Sequence, residues 1–200
     1  MPEKTLTLEG VRIRYIEEGS GRPVVLLHGY SFNADNWFSS GVAQALAESY
    51  KIYAVDMPYG AKSRSSKFRA NAEEYAKFLR KILDALSLED PPLVGPSMSG
   101  EVLMWYVALG YKTRLAVLVG PVGLDDKELQ NALSRFNGRL VAIWGEKDEI
   151  SPPSIYAPLL KRILPSAQVV VMPGAGHPAY LDKPGEFVDI LKDLLAEIGY

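Results

Sequence analysis

The chain has no cysteine among its 200 residues. That excludes disulfides, thiolate metal sites and a cysteine nucleophile together. Histidine is almost as scarce, with only His28 and His177. Two distant histidines without thiols make a poor ligand set, so neither a metal nor another cofactor is expected. No apolar run approaches the roughly 18 residues of a membrane span. A strong charge of either sign is also missing: the net charge is −2, which gives no hint of nucleic acid or of an anionic membrane surface as partner. The opening stretch Met1-Pro2-Glu3-Lys4-Thr5 lacks the apolar core of a signal peptide, so a cytoplasmic location is expected. Internal repeats, low-complexity segments and linkers are absent from the sequence. With 48% hydrophobic and 23% charged residues, residues 1–200 are expected to form a single soluble domain with a substantial core.

What is present is an alternation of buried strands and amphipathic helices. Thr5–Leu8 and Val11–Ile16 alternate in polarity around Glu9-Gly10 and read as an antiparallel hairpin. Continuous apolar runs follow at Pro23–Leu27, Ile52–Val55, Leu93–Val94, Leu115–Val119, Leu140–Trp144 and Gln168–Met172. Such runs suit strands covered on both faces. Between and after them, helical spacing marks 35–48, 73–86, 101–109, 126–136, 154–164 and 184–198. Eight strands, six of them feeding helices, predict an α/β fold with a mostly parallel, doubly wound sheet.

The most informative stretch is Leu93-Val94-Gly95-Pro96-Ser97-Met98-Ser99-Gly100. A strand enters a turn of small residues carrying a serine, and a helix leaves it. This is the pattern of a nucleophile elbow, in which a strained turn lifts the serine hydroxyl above the sheet. Positions two before and two after the nucleophile must be small. For Ser97 they are Gly95 and Ser99; for Ser99 they would be Ser97 and Glu101, and a glutamate would clash in that corner. Ser97 is therefore the expected nucleophile. Ser99 stands where the usual motif has its second glycine.

A serine nucleophile needs a base, and the base an orienting acid. His177 follows the last strand in Pro173-Gly174-Ala175-Gly176-His177-Pro178, at the carboxyl end of the sheet, where open α/β folds bind ligands. His28 ends the third strand and is expected to hold its own loop by side-chain hydrogen bonds. Three carboxylates follow the strand ending at Trp144: Glu146, Asp148 and Glu149. Asp148 has the placement of the acid, three residues after Gly145 and just before an apolar residue and prolines, with Glu146, Glu149 and Asp125 as alternatives. The order Ser97, Asp148, His177 matches the hydrolase template. An oxyanion would then find the backbone amides of Met98 and Tyr30. Phe32 and Tyr180 are expected to line the substrate site, or else to pack beneath it.

The whole chain resembles the α/β-hydrolase superfamily. Its elbow Gly95–Gly100, the loop Gly174–Pro184, and His28-Gly29 with Trp37 are similar to the small family called α/β-hydrolase domain-containing protein fourteen. The resemblance implies an eight-stranded sheet and a serine hydrolase of acetyl-type esters using Ser97, Asp148 and His177. Members of that family are also associated with lysine deacylation and with a transcription-factor partner. Residues 121–138 leave room for one short helix where many hydrolases insert a cap, so a cap-less, open site for small acyl esters is expected. A thioesterase or amide deacylase would use the same three residues. A non-catalytic binding module would need none of them together. Monomer and homodimer both fit the sequence, and a protein partner is compatible with it.

Overall fold

A computed structural model describes residues 3–200; Met1 and Pro2, part of the opening stretch read above, lie outside the described residues. The strands are β1 (Glu3–Leu8), β2 (Val11–Glu18), β3 (Pro23–Leu26), β4 (Lys51–Val55), β5 (Leu93–Pro96), β6 (Ala116–Val119), β7 (Leu140–Gly145) and β8 (Gln168–Met172). The helices are α1 (Asp35–Ser39), α2 (Val42–Ala47), α3 (Ala72–Ala85), α4 (Met98–Ala108), α5 (Lys127–Leu133), α6 (Pro153–Ile163), α7 (Ala179–Asp182) and α8 (Pro184–Glu197). One sheet holds all eight strands in the order β1-β2-β4-β3-β5-β6-β7-β8. The β1–β2 and β2–β4 pairs are antiparallel, and every later pair is parallel. This is an α/β-hydrolase sheet without a cap: only α5 stands between β6 and β7.

The apolar runs divide cleanly between two faces. Val25, Leu93, Ala116, Leu118 and Ala142 face a core closed by α3, α4, α5 and α6. Their neighbours Val24, Leu26, Val94, Val117 and Ile143 face a second core closed by α1, α2, α7 and α8. A strand's period of two sends successive side chains to opposite faces, so each must be apolar when both faces are covered. Helix α4 lies behind the centre of the sheet, and Val102 to Val107 are buried without interruption. At the antiparallel edge, buried Arg14 on β2 donates to Asp56 Oδ2 after β4 (3.2 Å) and to Asp35 Oδ1 on α1 (2.7 Å). Asp56 also accepts the amides of Ala34 and Arg64, so this buried charge is fully paired.

Two details differ from the expectation. The helix expected over 35–48 breaks into α1 and α2, because Gly41 takes φ +84° between them. Glycine adopts that left-handed conformation without steric cost, and it redirects the chain. The short helix α7 also forms just after His177, in a stretch without helical periodicity.

The carboxyl ends of β7 and β8 approach so closely that side chains are excluded. A Cβ built on Gly145 would overlap the carbonyl oxygens of Gly176 and Ala175. Gly145→Ala is therefore expected to lower stability by about 1–3 kcal/mol, the usual cost of overpacking. Thermal denaturation would show this as a fall of roughly 3–9 °C. A melting temperature equal to the parent's would show that the two loops can separate freely.

Candidate active site

The elbow forms where β5 turns directly into α4. Ser97 holds φ 53° and ψ −116°, a conformation that L-residues avoid. Its amide donates to the Val119 carbonyl (2.8 Å), and its carbonyl accepts from Gly100 (2.9 Å). Strand and helix nearly touch, since a Cβ on Gly95 would stand 2.6 Å from the Ser99 carbonyl oxygen; the helix is as close to the chain after β6, where a Cβ on Gly100 would stand 2.8 Å from Pro121 Cβ. Ser97 Oγ lies 2.9 Å from His177 Nε2. The other ring nitrogen of His177, Nδ1, lies 2.8 Å from Asp148 Oδ2. Asp148 is buried, and its second oxygen accepts the amides of Ile150 (2.9 Å) and Ser151 (2.8 Å). Those bonds aim Oδ2 at the ring, which fixes the proton on Nδ1 and leaves Nε2 free to accept one from Ser97. An imidazole held in this way can take a proton from the hydroxyl and return it to a leaving group.

The alternative acids are engaged elsewhere. Glu146 accepts the amide of Gly174, and Asp125 accepts from Tyr156 Oη. Glu149 is exposed. Among the described residues, the amides of Tyr30 and Met98 donate to no protein acceptor. The Tyr30 loop lies against the elbow, since a Cβ on Gly29 would stand 3.5 Å from Ser97 Cβ. The Tyr30 carbonyl is turned away and accepts from Ala61 (2.6 Å).

His28 is buried and is spent on the backbone. Nε2 accepts the Met57 amide (2.9 Å), which leaves Nδ1 to donate to the Gly29 carbonyl (2.9 Å). Its own carbonyl receives the Ser99 hydroxyl at 2.5 Å, and Tyr59 Oη lies 2.6 Å from the same Ser99 oxygen. Ser99 has one hydroxyl hydrogen, given to His28, so Tyr59 is the donor in the second bond. The residue that replaces the motif's glycine thus links the elbow, the loop after β3 and the turn after β4. Sequence reasoning saw Ser99 only as a crowding problem, and nothing local in the sequence pairs it with Tyr59. Gly120 was also missed, although a glycine immediately after the β6 run was a usable signal. At φ 51°, a Cβ there would stand 2.7 Å from Asp148 Oδ2 and 3.2 Å from His177 Nδ1. Ser151 is the third such residue: its hydroxyl donates to the Pro121 carbonyl (2.6 Å) and accepts from Trp144 Nε1 (3.2 Å), which anchors the Asp148 loop.

A pocket of about 240 Å³ opens beside Ser97 and His177, bounded by Phe32, Pro96, Ile150, Pro178 and Tyr180. Tyr180 borders this pocket and packs against Trp37, with ring centroids 4.2 Å apart. The Met98 side chain borders a separate depression on the far side of Tyr30, with Tyr59, Phe68 and Tyr75. Among the described residues, no three histidine or acidic side chains stand together as a metal site, and no helix is long and apolar enough to cross a membrane.

Burial lowers the pKa of His28 below the ordinary histidine value, because desolvation disfavours the charged ring. The unfolded chain then binds a proton first. Stability is complete above the unfolded value of about 6.5 and falls as pH drops below it. NMR titration is expected to keep His28 neutral below pH 6.5, with denaturation midpoints declining in the same range. A His28 ring that gains its proton at or above pH 6.5 would contradict this.

The family profile described as alpha/beta hydrolase fold matches residues 22–131 and 116–184. Human ABHD14B, named as a candidate protein-lysine deacylase, is 34% identical over 96% of this chain and 94% of its own length. ABHD14A of Danio rerio is 32% identical over 88% of this chain and 64% of its own. The crystal structure of a predicted CIB-like hydrolase from Thermoplasma acidophilum superposes with a TM-score of 0.86, at 25% identity over 97% of each chain. With its sheet order, its elbow and these matches along nearly its whole length, the chain belongs to the α/β-hydrolase family and is ABHD14-like within it.

Proposed function

We propose that this protein is a serine hydrolase of short-chain carboxylic esters, acting through an acyl-enzyme. The observation that carries the reading is the continuous hydrogen-bond chain Ser97 Oγ–His177 Nε2 and His177 Nδ1–Asp148 Oδ2, at 2.9 and 2.8 Å. In the first half-reaction His177 takes the Ser97 proton as Oγ attacks the acyl carbon. The oxyanion forms between the amides of Tyr30 and Met98, at the amino terminus of α4, where the helix dipole favours negative charge. His177 then protonates the departing alcohol, and the acyl group stays on Ser97. Water repeats the sequence with His177 as base, releasing the carboxylic acid and free serine. Asp148 stays ionised and steadies the imidazolium. A binding module would have no need of this complete chain.

Pocket size supports the short-chain preference. Taking about 30 Å³ per water-sized volume, the 240 Å³ pocket holds on the order of eight such volumes. With the leaving group sharing that space, octanoyl and longer chains would extend past it into solvent. A longer chain gains the roughly 0.8 kcal/mol per methylene only where a wall buries it.

The second reading is an amide deacylase acting on acylated lysine, with the same three residues. The name carried by human ABHD14B favours it. So does the rim of the pocket, where Tyr30 and Ile150 are 60% and 66% exposed and would meet a peptide carrying the modified side chain.

Ser97→Ala is expected to reduce ester hydrolysis by roughly 10⁴-fold or more while leaving the melting temperature near the parent's, measured with p-nitrophenyl acetate beside Ser99→Ala. An active Ser97→Ala protein beside an inactive Ser99→Ala would transfer the nucleophile to Ser99.

Across p-nitrophenyl esters of graded length, kcat/KM is expected to peak between acetyl and butyryl. Acetyl-lysine peptides assayed in parallel separate the two readings. A rate that climbs past octanoyl would mean that the acyl chain is bound somewhere other than this pocket.

A further inference from the structure

The amides of Met98 and Tyr30, which would meet at the oxyanion, lie on different segments. Met98 opens α4, which is buried from Val102 to Val107. Tyr30 lies on the loop after β3, where it and Ser31 are exposed. The fold has no cap to cover this loop, so it is gripped from beneath. The Met57 amide donates to His28 Nε2 (2.9 Å), and the Ala61 amide donates to the Tyr30 carbonyl (2.6 Å). A third bond comes from α4 itself, one residue beyond Met98: the buried Ser99 hydroxyl donates to the His28 carbonyl (2.5 Å). His28 passes this hold on. Its Nδ1 donates to the Gly29 carbonyl (2.9 Å), which belongs to the same peptide as the Tyr30 N–H. In a planar trans peptide the carbonyl and the N–H point in opposite directions, so fixing one aims the other.

We infer that Ser99 is a positioning residue for catalysis: through His28, its hydroxyl fixes the Tyr30 amide relative to the Met98 amide, so that both donors meet one oxyanion. This rests on the serine hydrolase reading and deepens it. The glycine usual at this place in the motif has no side chain to make the bond. Tyr59 completes the device. Its buried Oη donates to Ser99 Oγ (2.6 Å), which leaves the serine hydrogen for His28. The Tyr59 ring is packed edge-on to Tyr75 at 4.7 Å and against His28 at 5.5 Å between centroids. Burial raises the Tyr59 pKa above the ordinary tyrosine value, so the hydroxyl remains a donor at neutral pH. An oxyanion is stabilised by donors already in place, and a misplacement on the order of 1 Å costs about 10²-fold in rate.

The test compares p-nitrophenyl acetate with its thionoester, in which sulfur replaces the carbonyl oxygen. Sulfur is a weak acceptor, so misaligned donors penalise the ester more than the thionoester. A displaced Ser97 or His177 would slow both alike. Ser99→Ala is expected to lower kcat/KM for the ester by about 10- to 100-fold, and to lower the ester-to-thionoester ratio with it. Equal losses on the two substrates would overturn the inference and leave Ser99 as support for the elbow alone. An unchanged ester rate would overturn it as well. Should Ser99→Ala fail to fold, Tyr59→Phe, which alters no residue of the elbow, is read by the same ratio. If the parent protein turns over neither substrate, the hydrolase reading fails separately. The hold on the Tyr30 amide is then decided by NMR relaxation. Its order parameter is expected to fall from the rigid range of about 0.85 in the parent to below about 0.6 in Ser99→Ala, and an unchanged value overturns the inference.

Discussion

Everything at the site depends on the backbone of Ser97 staying where it is least comfortable. A non-glycine residue at φ 53° and ψ −116° stores on the order of 1–3 kcal/mol of strain. The chain cannot relax it, because β5 is paired on both sides and α4 is buried along its length. Gly95 lets strand and helix approach within a distance that any side chain would prevent, and Gly100 does the same between the helix and Pro121. The hydroxyl of Ser97 is consequently held clear of the sheet, with the first amide of α4 directly beside it. The buried bonds from Ser99 to His28 and from Tyr59 to Ser99 extend the same rigidity to the loop carrying Tyr30.

The other members of the hydrogen-bond chain arrive on loops, and close backbone approach again sets their position. Gly120 lies beneath Asp148 and His177, and Gly145 lies beneath the Ala175–Gly176 peptide. A methyl group at Gly120 would crowd the carboxylate and the imidazole themselves, and one at Gly145 the peptide just before His177. Asp148 is further held by two amides, and its loop is held by Ser151. Such fixed dipoles need little reorganisation when charge develops, which is how a preorganised site stabilises a transition state.

Much of this was legible in the sequence because it follows from repeating physical rules. Six strands announce themselves as apolar runs and the two hairpin strands as alternation around Glu9-Gly10, so all eight could be read. The elbow needs small residues at fixed offsets, so Gly95 and Ser99 pointed to Ser97 and not to its neighbour. With only two histidines in the chain, one at each candidate strand end, the pairing with a serine was nearly forced. What escaped were contacts between segments distant in sequence. Ser99 meets Tyr59 across 40 positions and His28 across 71. Neither separation leaves a periodic signal. The break at Gly41 escaped for a different reason: α1 and α2 keep a single apolar face, so the helical spacing runs through the bend.

Tyr180 shows why the line between core and site is hard to draw in a small cap-less hydrolase. Larger members can build an acyl pocket from an inserted domain; here the only material available is the core itself. Trp37, Tyr180 and Phe187 form one aromatic group under the pocket, with centroids 4.2 to 6.1 Å apart. The pocket wall is therefore as rigid as the packing of α1 and α8 against the sheet. A rigid wall cannot adapt by moving, so the volume of the pocket is set by the core that builds it. In this protein the available volume is small, and the Tyr180 hydroxyl is closed off behind the wall. A substitution in this aromatic group therefore changes the packing of the fold and the shape of the pocket together, and the two effects have to be read against each other.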